Sequence, residues 1–164
     1  MFKLFATAMF GLILTSTLNA QAGTELKGLT RLNIVIENLG DVEAKAHLDA
    51  ESLEATTLVA LKRDLPKVSY DKDAVGYVYV NVLCMEVGNP GSHAVACNVG
   101  LAINRLVSIV PDPYKNGSDG IVHARVYNTG IMLTGDLAAI GERVRQKVSD
   151  LMTRFAAEYY RQNP

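Results

Sequence analysis

The clearest pattern along the chain is a pair of alternating apolar segments on either side of a turn at Pro90 and Gly91. Alternation of this kind predicts two half-buried antiparallel strands within residues 77–110. Folding the chain about the turn places Cys84 opposite Cys97. Three apolar pairs fall into the same register: Val82 with Val99, Val80 with Leu101, and Val78 with Ile103. Because a slip of one residue would move every side chain to the other face, this agreement favours the register.

One strand is predicted before this hairpin and one after it. Residues 29–37 alternate between apolar and polar side chains, as a half-buried strand does. Residues 111–120 form a loop by composition, and their carboxylates lack the spacing of a calcium loop. Residues 121–127 are predicted to extend the hairpin to a three-stranded antiparallel meander. The expected pairing sets Val122, Ala124 and Val126 against Ile109, Val107 and Arg105.

Helical spacing appears twice. Asp49 can cap a helix whose apolar residues recur at intervals of three and four until Pro66 ends it. A second stripe begins after Asp136: Leu137, Ile140, Val144, Val148, Leu151, Phe155 and Tyr159. The order β-α-β-β-β-α predicts an α+β domain. Its expected architecture is a mainly antiparallel four-stranded sheet with both helices packed on one face.

The N-terminus has the pattern of a secretory signal peptide. Lys3 precedes an apolar run over residues 4–14, and a triplet of the form small-x-small follows. The run is short for a membrane-spanning helix. We expect cleavage after Ala22, with cleavage after Ala20 as the alternative, which leaves a single domain over residues 23–164.

A cleaved signal peptide over residues 1–22 predicts export of the protein to the periplasm. The alternatives are secretion from the cell and anchoring by an uncleaved signal segment. If the signal segment is cleaved, the chain contacts the membrane only through that segment before cleavage. An oxidising compartment allows Cys84 and Cys97 to form a disulfide, and cross-strand separations fit one. Two buried free thiols are the other interpretation.

Charge and motif content narrow the function. The chain has 16 basic and 17 acidic residues and a net charge of -1, so it lacks the basic field that nucleic-acid binding requires. His47, His93 and His123 do not have metal-ligand spacing, and no glycine pattern suits a phosphate. We therefore predict no catalytic residues, no metal and no cofactor, and a protein that is not an enzyme.

The reverse face of the hairpin sets large side chains against small ones. Tyr79 opposes Ala102, and Asn81 opposes Gly100. This arrangement suits either a close packing surface or the floor of a pocket, and packing is the default interpretation. Tyr77 lies on the same face, opposite Asn104.

Two arginines are further candidates. Arg105 interrupts the apolar stripe of the second hairpin strand, either with its stem buried near a sheet edge or as a partner for an anion. The candidate partner contacts are Tyr77, Tyr79, Arg105 and Arg125. An exposed edge strand that accepts a partner strand is another candidate. The second hypothesis is a small-ligand or enzymatic site lined by Arg105, Arg125 and residues 111–120.

The element order resembles that of small envelope domains such as the N-terminal domain of the translocation protein TolB and the activator lipoprotein LpoB. The strings at residues 34–37, 77–82 and 155–164 resemble those of a group of small exported proteobacterial proteins of unknown function. The resemblance implies a role in binding another envelope protein or a glycan, including during assembly of an envelope structure. It supplies no catalytic residues.

Overall fold

The computed structural model describes residues 25–89, 93–109 and 120–164. The predicted signal peptide, the turn at Pro90 and Gly91, and the predicted loop up to Asp119 lie outside the described residues. The elements are β1 (Arg31–Ile36), α1 (Asp41–Lys45), α2 (Ala50–Asp64), β2 (Ser69–Tyr70), β3 (Tyr77–Glu86), β4 (Ala94–Ile109), β5 (Gly120–Asp136) and α3 (Leu137–Gln162).

These strands form one five-stranded sheet in the order β2-β1-β3-β4-β5. The predicted α+β class is confirmed, but the sheet is mixed and has a fifth strand. β1 runs parallel to both β2 and β3, because the chain crosses over through α2 before it returns to the sheet. The added strand is β2, two residues that no predicted element covers. The remaining pairings, β3 with β4 and β4 with β5, are antiparallel.

The predicted register of the central hairpin is confirmed. Val82 pairs with Val99 and Val80 with Leu101. Cys84 pairs with Cys97, and their sulfur atoms form a disulfide with a Cα–Cα distance of 4.0 Å. Both cysteines are buried. The disulfide therefore joins the two central strands from within the core.

β5 differs from its prediction in length and register. It runs nine residues past Tyr127 to Asp136, and Val122 pairs with Val107 instead of Ile109. A bulge near Ile103 shifts the pairing further along the strand. The added part contains Asn, Gly and Asp, residue types that are depleted in strands. Pairing with the long β4 overrides that local preference.

Both long helices pack on one face of the sheet, as predicted. Asp49 caps α2 by accepting a hydrogen bond from the Ser52 amide at 2.7 Å. Asp136 caps α3 in the same way, accepting from the Ala138 amide at 2.9 Å. The α3 stripe is buried apart from Leu137, which is half-buried. The core cluster includes Leu32, Val78, Val80, Val99, Leu101 and Ile103 from the sheet, with Leu53, Leu61, Val148 and Phe155 from the helices.

The short helix α1 was not predicted, since five residues carry no readable periodicity. It covers the edge of β3 that β1 leaves open, because β1 pairs with β3 only as far as Val80. The Cys84 amide donates a hydrogen bond to the buried carboxylate of Glu43 on α1. Lys45 pairs with Glu86 at 2.9 Å. This edge of the sheet is therefore closed by α1 instead of by a strand.

Candidate functional site

The face of the sheet opposite the two long helices is uncovered in the part of the chain that the structure describes. We call it the open face. Along β3 the side chains alternate: Val82 and Cys84 point into the core, whereas Leu83 and Met85 are exposed. Across β4 and β5 the open face carries small or polar residues, among them Asn98, Gly100, Asn128 and Gly130.

A cavity of about 460 Å³ lies on the open face. Gly100, Ala102 and Gly130 belong to its lining, and because their side chains are small or absent, the surface is concave between β3 and β5. Its polar lining residues are Glu37, Tyr79, Asn81, Asn98, Arg125, Asn128 and Thr129. A concave site with several converging polar groups is the usual form of a ligand site, and the volume lies within the usual range.

Glu37 provides the carboxylate of this cavity. It directly follows β1, and its amide donates to the carbonyl of Val80 at 2.9 Å, which holds the residue against β3. Its Oε2 atom is buried and has no hydrogen-bond partner among the described residues. A buried carboxylate oxygen without a donor is costly, and the protein group that interacts with this carboxylate is the Tyr79 phenol.

Tyr79 lies between the charged groups of the cavity. Burial raises the pKa of its phenol, and the interaction with Glu37 raises it further. The positive charge of Arg125 acts in the opposite direction. Both charged groups therefore lie within electrostatic reach of one phenol. Glu37 and Arg125 do not form an ion pair with each other in the structure.

The polar groups of the cavity differ in what they offer. The exposed guanidinium of Arg125 only donates hydrogen bonds, and the Glu37 carboxylate only accepts them. Asn81, Asn98 and Asn128 both donate and accept. The cavity thus presents an acceptor at the β1 side and a donor at the β5 side, with amides between them.

The four predicted contact residues do not form one site. Tyr79 and Arg125 line the cavity, and Tyr77 lies beside it with its ring 6.0 Å from that of His123. Arg105 is elsewhere: its Nη1 atom donates to the carbonyls of Glu25 at 2.9 Å and Lys27 at 3.2 Å. It therefore holds the segment before β1. Arg105 does not line the cavity that Arg125 lines, so the two arginines do not share a site.

The structure also supports the pocket alternative for the reverse face of the hairpin. Asn81 and Gly100 are paired as predicted, and they line the cavity instead of a packed layer. Glu37, Asn98, Asn128 and Thr129 were not predicted from the sequence. The signal was weak, because Glu37 only follows a strand, Asn98 and Asn128 are ordinary outward-facing polar residues, and Thr129 pairs with the core residue Leu101. Only the strand order brings these four together.

Exposed apolar side chains border the cavity. Leu83, Asn98 and Met132 lie in one row across β3, β4 and β5. Leu83 is 59% exposed and Met132 is 72% exposed. Met85 lies at the next outward position of β3 and is 57% exposed. Neighbouring apolar side chains beside a polar cavity are typical of an interaction surface.

β5 is an edge strand, so one side of its backbone has no neighbouring strand in the described structure. One of its outward carbonyls is already engaged, because Arg143 on α3 donates to Thr134 at 2.6 Å. Asn128, Gly130 and Met132 have the same orientation as Thr134 relative to β4. The edge strand as a contact for a partner strand stays a prediction.

Two negative findings concern the described residues. They contain no group of three or more His, Cys, Asp or Glu side chains that could hold a metal ion. Within these same ranges no helix is both long and apolar enough to cross a membrane.

Comparisons with known proteins add little. No family model matches the chain, and no curated protein matches it. Among solved structures, the chain is similar to that of a minor lipoprotein from Acinetobacter baumannii, with 14% identity and a TM-score of 0.34. The match covers 80% of this chain and 90% of that chain. At this TM-score the likeness carries no argument, and the resemblance to exported envelope proteins stays a prediction.

The effect of Glu37 on Tyr79 can be measured. In Glu37→Gln the loss of the negative charge should lower the pKa of Tyr79, while burial keeps it above its ordinary value. The measurement is a spectrophotometric titration of phenolate, read as the difference between each protein and its Tyr79→Phe counterpart because the chain has seven tyrosines. An unchanged titration in Glu37→Gln would contradict the proximity of the two groups.

Proposed function

We propose that this chain is a non-enzymatic exported protein that binds another component of the cell envelope through its open face. The observation that carries the proposal is the juxtaposition of a polar cavity with the exposed side chains of Leu83, Met85 and Met132 on one uncovered sheet face. Such a surface buries apolar area and offers directed hydrogen bonds at the same time. A role during assembly of an envelope structure is one form that this binding can take.

Export is the second part of the proposal. It is supported by the signal-peptide pattern that ends at Ala22 and by the disulfide between Cys84 and Cys97. Disulfides persist in the periplasm and outside the cell. We propose the periplasm as the location, since the pattern favours cleavage of the segment before it can act as an anchor. Detection of the protein in periplasmic extracts, with an N-terminus at Gly23, would test this.

Binding of a small ligand is the second candidate, and Arg125 favours it. Arg125 is one of the residues predicted for that alternative, and it lines the cavity. Glu37 and Tyr79, which were not predicted for it, line the same cavity. Arg105 does not contribute. Both candidates use the open face. They differ in whether the exposed apolar side chains beside the cavity, Leu83, Met85 and Met132, take part in binding.

We expect the double variant Leu83→Asp, Met132→Asp to lose the partner. The immobilised wild-type protein is incubated with solubilised envelope extract, and the retained proteins and glycans are identified by mass spectrometry. Retention should fall by about tenfold or more in the variant, because charges at the centre of an interface remove apolar contacts and add a desolvation cost. The stability of the variant should be close to that of the wild type, since both side chains are exposed.

A matched control makes the same change on the helical side of the molecule. Val59 on α2 is 64% exposed, so Val59→Asp alters an equally accessible apolar side chain away from the open face. This control should retain the partner as the wild type does. The proposal fails if the wild type retains no reproducible component, or if the double variant retains it equally well.

A further inference from the structure

We infer that the cavity on the open face binds a zwitterionic short peptide, with the amino group of the peptide at Glu37 and its carboxylate at Arg125. The inference rests on the open face being the binding surface. It adds the chemical class of the ligand, which neither the predicted elements nor the comparisons assign.

The first observation is the state of the carboxylate. Glu37 Oε2 is buried without a hydrogen-bond partner, although three asparagines line the same cavity. An ammonium group supplies up to three N–H donors and a compensating positive charge, which is the pairing that a buried carboxylate favours most.

The second observation is the state of the guanidinium. Arg125 lines the cavity and makes no hydrogen bond or ion pair to another described side chain, and its positive charge acts on the pKa of the Tyr79 phenol. A guanidinium offers parallel N–H groups that match a carboxylate in bidentate geometry. The cavity therefore has a site for a cation at one end and a site for an anion at the other.

The spacing selects a peptide over a free amino acid. Glu37 follows β1 and Arg125 lies on β5, three strand spacings away in the sheet order. Adjacent strands lie about 4.8 Å apart, which gives about 14 Å across the sheet. The pairing also places Glu37 beside Asn81 and Arg125 in the row of Tyr77, four residues or about 13 Å along β3, so the two backbones lie about 20 Å apart. The two side chains cover part of this distance, and an extended peptide of two or three residues, at about 3.3–3.6 Å per residue, covers the remainder.

The middle of the cavity fits a peptide backbone. Asn81, Asn98 and Asn128 carry amide groups that can donate to a carbonyl and accept from an N–H. Gly100 and Gly130 leave the sheet surface low beneath them, and a Cβ at Gly130 would lie 3.1 Å from the carbonyl oxygen of Val99. Side chains of the peptide could lie against the apolar row of Leu83 and Met132.

The test uses mixtures, because the side chains of the ligand are not specified. The wild-type protein is dialysed to equilibrium against a mixed hydrolysate of dipeptides and tripeptides, and compounds enriched on the protein side are identified by mass spectrometry. Parallel arms contain the same peptides after N-acetylation, the same peptides after C-terminal amidation, free amino acids, and a neutral maltodextrin mixture. We expect enrichment of the unmodified peptides of at least about tenfold over each other arm, the ratio that one lost charge-assisted contact produces.

Two isosteric variants test which residue binds each end of the peptide. Glu37→Gln should abolish the penalty for N-acetylation, and Arg125→Gln should abolish the penalty for amidation. Arg154→Gln, which removes an exposed arginine of α3 outside the cavity, should behave as the wild type.

The outcomes separate this inference from the proposed function. Enrichment of maltodextrins, equal enrichment of blocked and free peptides, or no enrichment at all overturns the peptide inference. If the envelope capture that depends on Leu83 and Met132 succeeds at the same time, the open face remains a binding surface with a different ligand. If neither experiment retains a component, both proposals fail.

Discussion

Gly141→Ala should destabilise the protein by about 1–3 kcal/mol, although alanine is the better helix former by about 1 kcal/mol. Gly141 is buried in the second turn of α3, where this helix crosses the end of α1. A Cβ at this position would lie 2.1 Å from the carbonyl oxygen of Ala46. Because that neighbour is backbone at the C-cap of α1, it cannot move aside as a flexible side chain would.

The displacement of α1 should also change the hydrogen bonding at the edge of β3. α1 supplies Glu43, whose buried carboxylate accepts the Cys84 amide, and any shift of α1 weakens that hydrogen bond. Urea unfolding measures the stability, and amide hydrogen exchange at Cys84 reports the local effect. Both should change together in Gly141→Ala.

Gly76→Ala is the matched control. A Cβ at Gly76 has its nearest neighbour at 3.5 Å, which is ordinary van der Waals contact, and this variant should stay within about 0.5 kcal/mol of the wild type. If Gly141→Ala proved as stable as its control, the close contact between α1 and α3 would be refuted.

Loss of the disulfide is the second large effect. The double variant Cys84→Ala, Cys97→Ala should lose about 3 kcal/mol, because the bond closes a loop with a sequence separation of 13 and restricts the unfolded chain. Alanine is used because both positions are buried, where the hydroxyl of serine would need a partner. Urea unfolding under oxidising and reducing conditions measures the loss.

Reductant provides the internal control. It should destabilise the wild type by about the same 3 kcal/mol and leave the double variant unchanged. A wild-type protein that unfolds identically with and without reductant, or that has two alkylatable thiols before reduction, would contradict a structural disulfide. A large effect would also mean that an oxidising compartment increases the stability of the protein, in agreement with the proposed export.

Local pattern was sufficient for much of the fold. The spacing of Val144, Val148 and Phe155 predicts α3, and the alternation on both sides of the turn at Pro90 and Gly91 predicts β3, β4 and the pairing of Cys84 with Cys97. These elements are long and strongly periodic, so each residue reinforces the same assignment. Where the periodicity was short, as in α1 and β2, no element was predicted.

The sequence pattern predicted the wrong length for β5, because pairing with β4 outweighs the low strand propensity of its residues. The part of β5 after Tyr127 contains residues that are typical of turns, and it is a strand because β4 offers sixteen residues of hydrogen-bonding partners. The bulge near Ile103 could not be anticipated either, and it is one reason why the register within β5 changes along the strand.

The candidate site shows the same division. The sequence by itself determined that Tyr79 and Asn81 face away from the core and oppose Ala102 and Gly100, because alternation on paired strands decides faces and partners. Only the tertiary structure decided that the parallel β1 lies next to β3 and places Glu37 at the cavity. It also separated Arg105 from Arg125. Which strands become neighbours depends on contacts between distant parts of the chain, and local periodicity carries no record of them.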